Sequence, residues 1–399
     1  MRKFNIINQE RGNAILRKEI IELLINDGDN CIAEISKRLN SSIPTITKQI
    51  NQMMKDSLLI EKGKQDTNGG RRPIKYGLNP DAGYFIGVDI QRFHISIAVM
   101  QFDGNLLDYT DNIPFQLEKD EECLRRFCTR LHSHLKSRHV PIRKIVAYGM
   151  NLSGRVNTTT GQSFSFCIKE DTPLSENLKE LLGCPVYLDN DSRAMTYGEH
   201  LIYHNKVKDM LFLNLTWGLG MGMIVNGRIV NGKSGFAGEI GHVPMLNNNQ
   251  ICQCGKIGCL ETGASGMALQ RILIDKIKAG KSSKLSEVLD KKGTISTDEI
   301  LQAINEEDVL AIESMEEIGN VLGRAIAGLI NIFNPELVVI GGALSRAGDY
   351  LMIPIKGAVN KLSLHYVNED TRICLSALGK KAGPIGACML SRSKVLDLV

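Results

Sequence analysis

Four side chains that can bind a metal ion lie close together in the middle of the sequence. They are His242, Cys252, Cys254 and Cys259, so three of the chain's ten cysteines fall within one short stretch. Three thiols and one imidazole are the ligand set of a closed tetrahedral zinc site. Because such a site leaves no position for water, the sequence predicts a structural Zn²⁺. The alternative is a chance cluster of buried thiols, which the number, type and spacing of the ligands disfavour.

Two carboxylates flank the predicted zinc ligands. Glu239 lies three residues before His242, and Glu261 lies two residues after Cys259. A metal ion that binds His242 and the cysteines holds both ends of one loop, so we expect it to hold both carboxylates in place. A carboxylate can accept two hydroxyl groups, which suits ligands rich in hydroxyls.

Length and composition limit the classes of protein to consider. A chain of 399 residues with 43% hydrophobic residues predicts two or three packed domains. No stretch of eighteen apolar residues is present, and the N-terminal residues lack the apolar core of a signal peptide. We therefore expect a cytoplasmic protein without a membrane segment, in which the cysteines outside the cluster are ordinary buried thiols.

Positive charge is concentrated at the N-terminus. Residues 1–80 contain 14 basic and 9 acidic residues, a net charge of +5, whereas the other residues contain 34 and 35, a net charge of −1. This asymmetry favours a polyanionic partner for the N-terminal part. A basic surface without a partner is the alternative that charge alone does not exclude.

The first eighty residues have the pattern of a DNA-binding domain. Apolar periodicity predicts a helix over residues 11–25, a short helix over residues 32–39 and a third helix after the turn at residues 40–42. Strands at residues 58–63 and 74–78 enclose a basic loop. This arrangement is similar to a winged helix-turn-helix, with residues 1–80 as one domain. A small helical module that binds another protein is the alternative.

The third helix supplies the predicted DNA contacts. One face is predicted to be buried and carries Ile43, Ile46, Ile50, Met53 and Met54. Side chains off that face, or at the start of the helix, are expected to contact DNA: Ser42, Thr45, Thr47, Lys48 and Gln49. In the basic loop, Arg71 and Arg72 are expected to lie on or beside the phosphate backbone.

Residues 81–399 alternate strands, polar loops and helices. Strands are predicted at residues 84–90, 94–102, 145–150, 185–188, 210–215, 222–225 and 337–340, and helices at residues 123–138, 192–204, 265–279 and 312–333. Such alternation indicates an α/β architecture with functional residues at the strand ends. Asn190 and Asp191 follow one of these strands, and by themselves they are also consistent with a turn or a helix cap.

Two motifs around the predicted zinc ligands resemble the signature of the ROK family of bacterial repressors, open reading frames and sugar kinases. They read Gly-Phe-Ala-Gly-Glu-Ile-Gly-His at residues 235–242 and Cys-Gln-Cys-Gly-Lys-Ile-Gly-Cys-Leu-Glu at residues 252–261. The resemblance extends from about Tyr84 to the C-terminus. It implies a two-lobed, actin-like (ribonuclease H-like ATPase) fold. Residues 81–196 with 384–399 would form the first lobe, and residues 197–383 the second.

The resemblance also implies a sugar pocket between the lobes. Residues at the family's sugar-contacting positions are Gly154, Arg155, Asn190, Asp191, Glu239, His242 and Glu261. In the kinases of the family, the residue that matches Asp191 is the general base that accepts the proton of the sugar hydroxyl. Family members are homodimers or homotetramers, and a dimer suits a helix-turn-helix that reads two half-sites.

The phosphate-binding motifs depart from the kinase pattern. Family kinases have Asp-x-Gly-Gly-Thr, where this chain keeps Asp89 but continues with Gln91-Arg92-Phe93. In the second phosphate loop, Trp217 takes the place of a hydroxyl residue. Gly341-Gly342 resembles the adenosine segment, although a glycine pair after a strand is also an ordinary turn. These departures predict that ATP binding is lost or weak, so that no catalytic residue is assigned.

Three functions are therefore compared. A sugar-responsive repressor would bind operator DNA and a sugar or sugar derivative. The second hypothesis is a ROK sugar kinase with an added DNA-binding domain, which Asp191 supports and the altered phosphate loops oppose. The third is a docking protein whose large domain binds a regulatory protein. Motifs and charge favour the repressor.

Overall fold

Two units make up the chain. The computed structural model describes residues 11–64, 73–91, 94–116, 121–164, 172–203 and 206–398. Residues 1–191 together with 383–399 form the first unit, and residues 192–382 form the second. The chain therefore passes between the units twice, after Asp191 and after Ala382. The predicted end of the first lobe at residue 196 lies inside a helix.

The first unit begins with three helices and a small sheet. Its elements are α1 (Arg11–Asp27), β1 (Asn30–Cys31), α2 (Ile32–Arg38), α3 (Ile43–Lys55), β2 (Leu59–Lys64) and β3 (Ile74–Leu78). The sheet has the order β1-β3-β2, with antiparallel pairing. Ser42 caps α3 by accepting a hydrogen bond from the amide of Thr45, as its position before the helix predicts. The predicted winged helix-turn-helix is confirmed.

Two expectations about α3 are wrong. The sequence predicts that Ile43 lies on the buried face, but its side chain is 55% exposed because it is the first residue of the helix and lies at its outer end. Gln49 was assigned to the outer face, but it is only 5% exposed and accepts a hydrogen bond from Nε of buried Arg17. Ile46, Ile50 and Met53 are fully buried, as predicted.

The first unit continues with a mixed sheet. Its elements are β4 (Tyr84–Ile90), β5 (His94–Gln101), β6 (Leu106–Pro114), α4 (Glu121–Ser137), β7 (Ile145–Leu152), β8 (Val156–Asn157), β9 (Gln162–Ser163), α5 (Leu174–Leu182) and β10 (Val186–Asn190). The five-stranded sheet has the order β10-β7-β4-β5-β6. Strand β4 is buried along its whole length, which explains its continuous apolar sequence.

The second unit contains another mixed sheet and most of the helices. Its elements are α6 (Asp191–Ile202, of which Asp191 belongs to the first unit), β11 (Met210–Leu215), β12 (Leu219–Val225), β13 (Arg228–Ile229), α7 (Gly266–Lys278), α8 (Ser286–Lys292), α9 (Thr297–Asn305), α10 (Val309–Phe333), β14 (Leu337–Gly341), α11 (Asp349–Leu362), α12 (His365–Glu369) and β15 (Arg372–Leu375). The chain then returns to the first unit through α13 (Ala382–Val395).

The same topology occurs twice. The second sheet has the order β13-β12-β11-β14-β15. In each sheet, three consecutive antiparallel strands are followed by two strands that join in parallel on the other side. Such a duplicated α/β unit is the expected two-lobed, actin-like fold, which is confirmed. No helix in the described part of the chain is long and apolar enough to cross a membrane.

Candidate functional site

The four predicted metal ligands converge in the second unit. One ligand atom from each of His242, Cys252, Cys254 and Cys259 lies within 4.8 Å of the others. Sγ of Cys252 is 3.5 Å from Nδ1 of His242, and the Sγ atoms of Cys254 and Cys259 are 3.6 Å apart. Zinc bonds of roughly 2.0–2.3 Å at tetrahedral angles separate ligand atoms by roughly 3.5–3.8 Å. The donor set and these two separations therefore fit a tetrahedral metal ion, and the four ligand atoms all lie within 4.8 Å of one another.

Local backbone geometry brings these ligands together. Bridges between Pro244 and Cys259 and between Ile251 and Ile257 close the loop, and the amide of Cys252 donates to the carbonyl of Lys256. Burial raises the pKa of Cys252 to about 12. A hydrogen bond from the Lys256 backbone lowers the pKa of Cys254. A metal ion that binds these residues as thiolates must therefore displace protons.

Both flanking carboxylates contact the loop. Oε2 of Glu239 is 3.8 Å from Nε2 of His242, the ring nitrogen that does not face Cys252. Oε2 of Glu261 accepts a hydrogen bond of 3.0 Å from the amide of Leu219, and Sγ of Cys252 donates to its Oε1 at 3.6 Å. Glu261 thus connects the metal loop to the start of β12, a backbone role that the sequence did not indicate.

A cluster of buried polar groups lies at the ends of the strands of the first unit. Asp89 is 3% exposed, and Nε2 of Gln91 donates to its Oδ2 over 2.8 Å. Burial raises the pKa of Asp89 to about 7, with a further increase from the charge of Asp191 that Gln91 opposes. Among the described residues, Oδ1 of Asp89 and Oδ1 of Asn151 have no hydrogen-bond partner. Asn151 lies beside Asp89, and its side chain opposes the rise in the pKa of that carboxyl.

The predicted sugar-contacting residues of the first unit include Asp191, whose charge acts on Asp89. Oδ2 of Asp191 accepts a hydrogen bond of 3.0 Å from the hydroxyl of Ser153. Nδ2 of Asn190 donates to the carbonyl of Gly154 over 3.0 Å, and Gly154 has a φ of 90° that favours glycine. Arg155 follows on the same exposed turn. Gly154, Asn190 and Asp191 are therefore connected in this unit, whereas Glu239, His242 and Glu261 belong to the metal loop of the second.

The candidate DNA-binding surface is the exposed face of α3. Ser42, Thr45 and Lys48 are exposed, and Thr47 is half-buried with its hydroxyl bonded to the carbonyl of Ile43. Arg71 and Arg72 lie outside the described residues. Ile43 is a further candidate on this surface, which its apolar side chain does not reveal in the sequence because apolar residues of a helix are usually buried. A polar face with an exposed aliphatic residue at its start can contact base edges and thymine methyl groups.

The sequence reasoning also missed two residues of the polar cluster. In the sequence, Gln91 indicates only that a glycine of the kinase motif is replaced, whereas in the structure its amide donates a hydrogen bond to Asp89. Ser153 was not assigned a role, although its hydroxyl contacts Asp191. Ser153 directly follows β7, and a polar residue at the end of a buried strand is a candidate for a functional site.

A winged helix-turn-helix joined to a duplicated α/β fold with a Cys₃His loop defines the class of protein. The family model described as ROK family matches residues 85–394, and the model described as winged helix-turn-helix DNA-binding matches residues 14–60. The chain therefore belongs to the ROK family.

Individual relatives include both repressors and kinases. The xylose repressor of Caldicellulosiruptor bescii is 29% identical over 97% of this chain and 98% of its own length. The glucokinase of Halalkalibacterium halodurans is 31% identical over 78% of this chain and 96% of its own length. A crystal structure of a ROK family transcriptional regulator, a homologue of the E. coli MLC protein, has a TM-score of 0.81 and 26% identity, and the match covers 97% of this chain and 98% of that one.

Proposed function

We propose that this protein is a sugar-responsive transcriptional repressor. One observation carries the proposal. The match to the xylose repressor covers nearly the whole of both chains, whereas the match to the glucokinase covers nearly all of that enzyme but only 78% of this chain. The part that this glucokinase does not share is of the size of the winged helix-turn-helix and its connection. DNA binding and sugar recognition are thus combined in one chain.

The proposed operator contacts come from α3 and the wing. Thr45, Thr47 and Lys48 reach bases or phosphates in the major groove, Ser42 and the start of the helix face a phosphate, and Ile43 contacts a thymine methyl group. Gln49 is not part of this proposal because it is buried. Arg71 and Arg72 are proposed to contact the phosphate backbone from the wing. Binding as a homodimer or homotetramer would present two such helices to two half-sites.

The proposed effector is a sugar or sugar derivative. Asp191, Asn190 and the Gly154-Arg155 turn contribute from the first unit, and Glu239, His242 and Glu261 contribute from the second. Support comes from the acceptor-rich chemistry of both groups of residues, which matches a ligand that donates many hydroxyl hydrogens.

Zinc is the metal that we propose for the Cys₃His cluster. Three thiolates with one imidazole in tetrahedral spacing favour Zn²⁺ over cations that prefer oxygen ligands. His242 would bind through Nδ1, with Nε2 directed to Glu239, because these are the atoms that face each partner. The metal has a structural role: it fixes the loop that carries Glu239 and Glu261.

Sugar kinase activity is the second candidate function, because Asp191 begins α6 at the position expected of the general base. We propose that it is absent. The amide of Gln91 already occupies Oδ2 of Asp89, and Trp217 stands in the second phosphate loop. A docking function for a regulatory protein is not needed to account for any residue described above.

One experiment separates the two functions. A duplex that contains the binding site, selected from random DNA with the full-length protein, is titrated with the protein in the presence of single sugars, amino sugars and sugar phosphates. The same compounds are assayed with ATP for coupled phosphoryl transfer. The repressor proposal expects release of DNA by at least one compound without turnover. Turnover of about 1 s⁻¹ or faster together with unchanged DNA binding would establish the kinase instead.

A further inference from the structure

A buried carboxylate that neither the metal loop nor the DNA-binding surface uses lies in α6. Glu199 is 0% exposed. Its Oε1 accepts a hydrogen bond of 2.7 Å from the amide of Ala377, and its Oε2 accepts one of 2.8 Å from the hydroxyl of Ser376. The amide of Leu378 is 3.4 Å from Oε2. A single carboxylate therefore holds three consecutive residues of the segment between β15 and α13.

Helix α6, which carries Glu199, is seated firmly on the second sheet. A Cβ atom at Gly220 would lie 2.1 Å from Oγ of Ser192, and one at Gly222 would lie 2.0 Å from Oγ1 of Thr196. These glycines of β12 thus allow a close approach that fixes the first two turns of the helix against the strand. The first residue of the same helix is Asp191, the proposed effector ligand.

The segment that Glu199 holds leads into α13. At the start of that helix, the carbonyl of Gly383 accepts a hydrogen bond of 2.6 Å from Nδ2 of Asn151. Near its end, Nε of Arg392 donates to the carbonyl of Phe102, whose amide donates to the carbonyl of Pro80. These contacts connect α13 to the strand ends of the first unit and to the segment that follows the winged helix.

A direct contact with the winged helix follows the end of α13. Oδ2 of Asp397 pairs with Nζ of Lys18 in α1 at 2.9 Å. Both side chains are substantially exposed, so this pair by itself contributes little to stability. Its importance is positional, because it joins residue 397 to the first helix of the domain proposed to bind operator DNA.

We propose that Glu199 is a positioning residue that couples the two chain connections between the units, so that effector binding at Asp191 is transmitted to α13 and from there to the winged helix. The inference rests on the proposed function, since it concerns how the same effector alters operator binding. Glu199 is fully buried and is not one of the proposed DNA or sugar contacts. Its hydrogen bonds join α6, the helix that begins at the first connection, to residues 376–378, which precede the second connection. A displacement of α6 would therefore displace both connections.

The test variant is Glu199→Gln, which keeps the size of the side chain but replaces one acceptor oxygen with an NH₂ group that cannot accept a hydrogen bond. Glu336→Gln is the control, the same chemical change at an exposed carboxylate of the second unit. Oε1 of Glu336 also accepts two backbone hydrogen bonds, from the amides of Lys208 and Asp209, but it does not bind the segment that leads into α13. Ser376→Ala is a milder second variant that removes one donor to Glu199.

The measured quantity is the ratio of operator Kd with and without a saturating sugar, using D-xylose, D-glucose or the compound of the panel that releases DNA from the wild-type protein. We expect Glu199→Gln to reduce this ratio about 2- to 30-fold, the range found for residues that carry coupling. Ser376→Ala should reduce it less, and Glu336→Gln should leave it unchanged. Sugar affinity and metal content should stay at wild-type values in all variants.

The outcomes distinguish this inference from the proposed function. If the wild-type protein releases DNA with sugar and both Glu199→Gln and Ser376→Ala keep the full ratio, the inference is wrong and the repressor stands. An equal loss in Glu336→Gln also overturns it, because the effect is then general destabilisation. If no compound alters DNA binding by the wild-type protein, the sugar-sensing function fails and the inference fails with it.

Discussion

At the scale of single residues, Asp89 makes stability depend on pH. Its pKa is raised to about 7 by burial, so the folded state keeps a proton that the unfolded state releases near pH 4. The folded state is therefore favoured at low pH, and this contribution is lost as the pH rises from about 4 to about 7. Asp89→Asn cannot lose that proton, so its stability relative to wild type should increase across the same window.

About 4 kcal/mol is the upper limit over the whole window, since each pKa unit corresponds to about 1.4 kcal/mol. About two pKa units lie between pH 5 and pH 7, so urea unfolding of both proteins at pH 5 and pH 8 should show an increase of about 3 kcal/mol. Asp290→Asn, a change of the same kind at an exposed position, is the control and should show no such trend. A difference between wild type and Asp89→Asn that is the same at both pH values would contradict the buried, shifted carboxyl.

The metal ligands give the second prediction at this scale. Cys254→Ser should remove most of the bound zinc, because the exposed thiol completes the tetrahedron with Cys259, 3.6 Å away. Sugar affinity should fall as well, since Glu239 and Glu261 lose the loop that fixes them. Metal analysis and sugar titration measure both effects. Cys374→Ser, a half-buried cysteine of the same unit outside the cluster, should change neither. Wild-type protein prepared without chelators that holds no zinc would contradict the assignment.

Single-residue chemistry was partly predictable from the sequence. His242, Cys252, Cys254 and Cys259 were identified because metal ligands have restricted types and spacings. The pairing of Gln91 with Asp89 was not predictable, since it depends on where a side chain turns after the end of β4. The backbone contact of Glu261 was hidden for a similar reason: its partner, Leu219, is distant in sequence.

At the scale of elements, the orientation of α3 separates side chains that can reach DNA from side chains that stabilise the fold. Thr47→Ala and Lys48→Ala should leave stability nearly unchanged but alter operator binding. The threonine should affect sequence preference, and the lysine should lower affinity for all sequences together with the salt dependence. Gln49→Ala should instead destabilise the fold by about 1–3 kcal/mol, because it removes a hydrogen bond of buried Arg17.

Urea unfolding together with binding to a set of single-base operator variants measures these effects. Asn51→Ala, an exposed change one turn further along the same helix, serves as the comparison for general effects of truncation. Gln49→Ala could instead change the sequence preference and leave the free energy of unfolding at its wild-type value. The Gln49 side chain would then have to leave the core when DNA binds, and the orientation of α3 described above would not apply to the complex.

Elements with continuous apolar sequences were the easiest to predict. The strands Tyr84–Ile90 and Met210–Leu215 have the predicted bounds, because both are buried throughout and bounded by polar residues. Helix α11 was not predicted, since Pro354 and Gly357 within it normally interrupt helices. It forms through tertiary packing: Pro354 lies against Gly319 of α10, where any side chain would collide with the ring.

At the scale of the whole molecule, the sequence indicated an α/β protein but not which strands pair. Strands β11 and β14 are neighbours in the second sheet although more than a hundred residues separate them. Local periodicity contains no information about such pairing, and the actin-like fold was expected only through the family resemblance. The return of α13 to the first unit was expected on the same ground, and its contacts with Asn151 and Phe102 were not.

The last prediction concerns the linkage between effector and operator. A sugar can change operator affinity only if it binds more tightly to the arrangement of the chain that binds DNA poorly. By thermodynamic reciprocity, operator DNA must then weaken sugar binding by the same factor, roughly 5- to 150-fold.

Asp191→Ala should still bind operator with wild-type affinity but lose the response to sugar, because Asp191 lies far along the chain from α3 and is a proposed sugar ligand. Asp290→Ala, at an exposed site in the second unit, should retain it. Titrations of sugar with and without saturating operator, and of operator with and without saturating sugar, measure the same coupling factor from two sides and check that both experiments reached equilibrium. Factors of one for the wild-type protein would mean that the sugar binds without regulating DNA, and an unchanged response in Asp191→Ala would contradict the assigned role of Asp191.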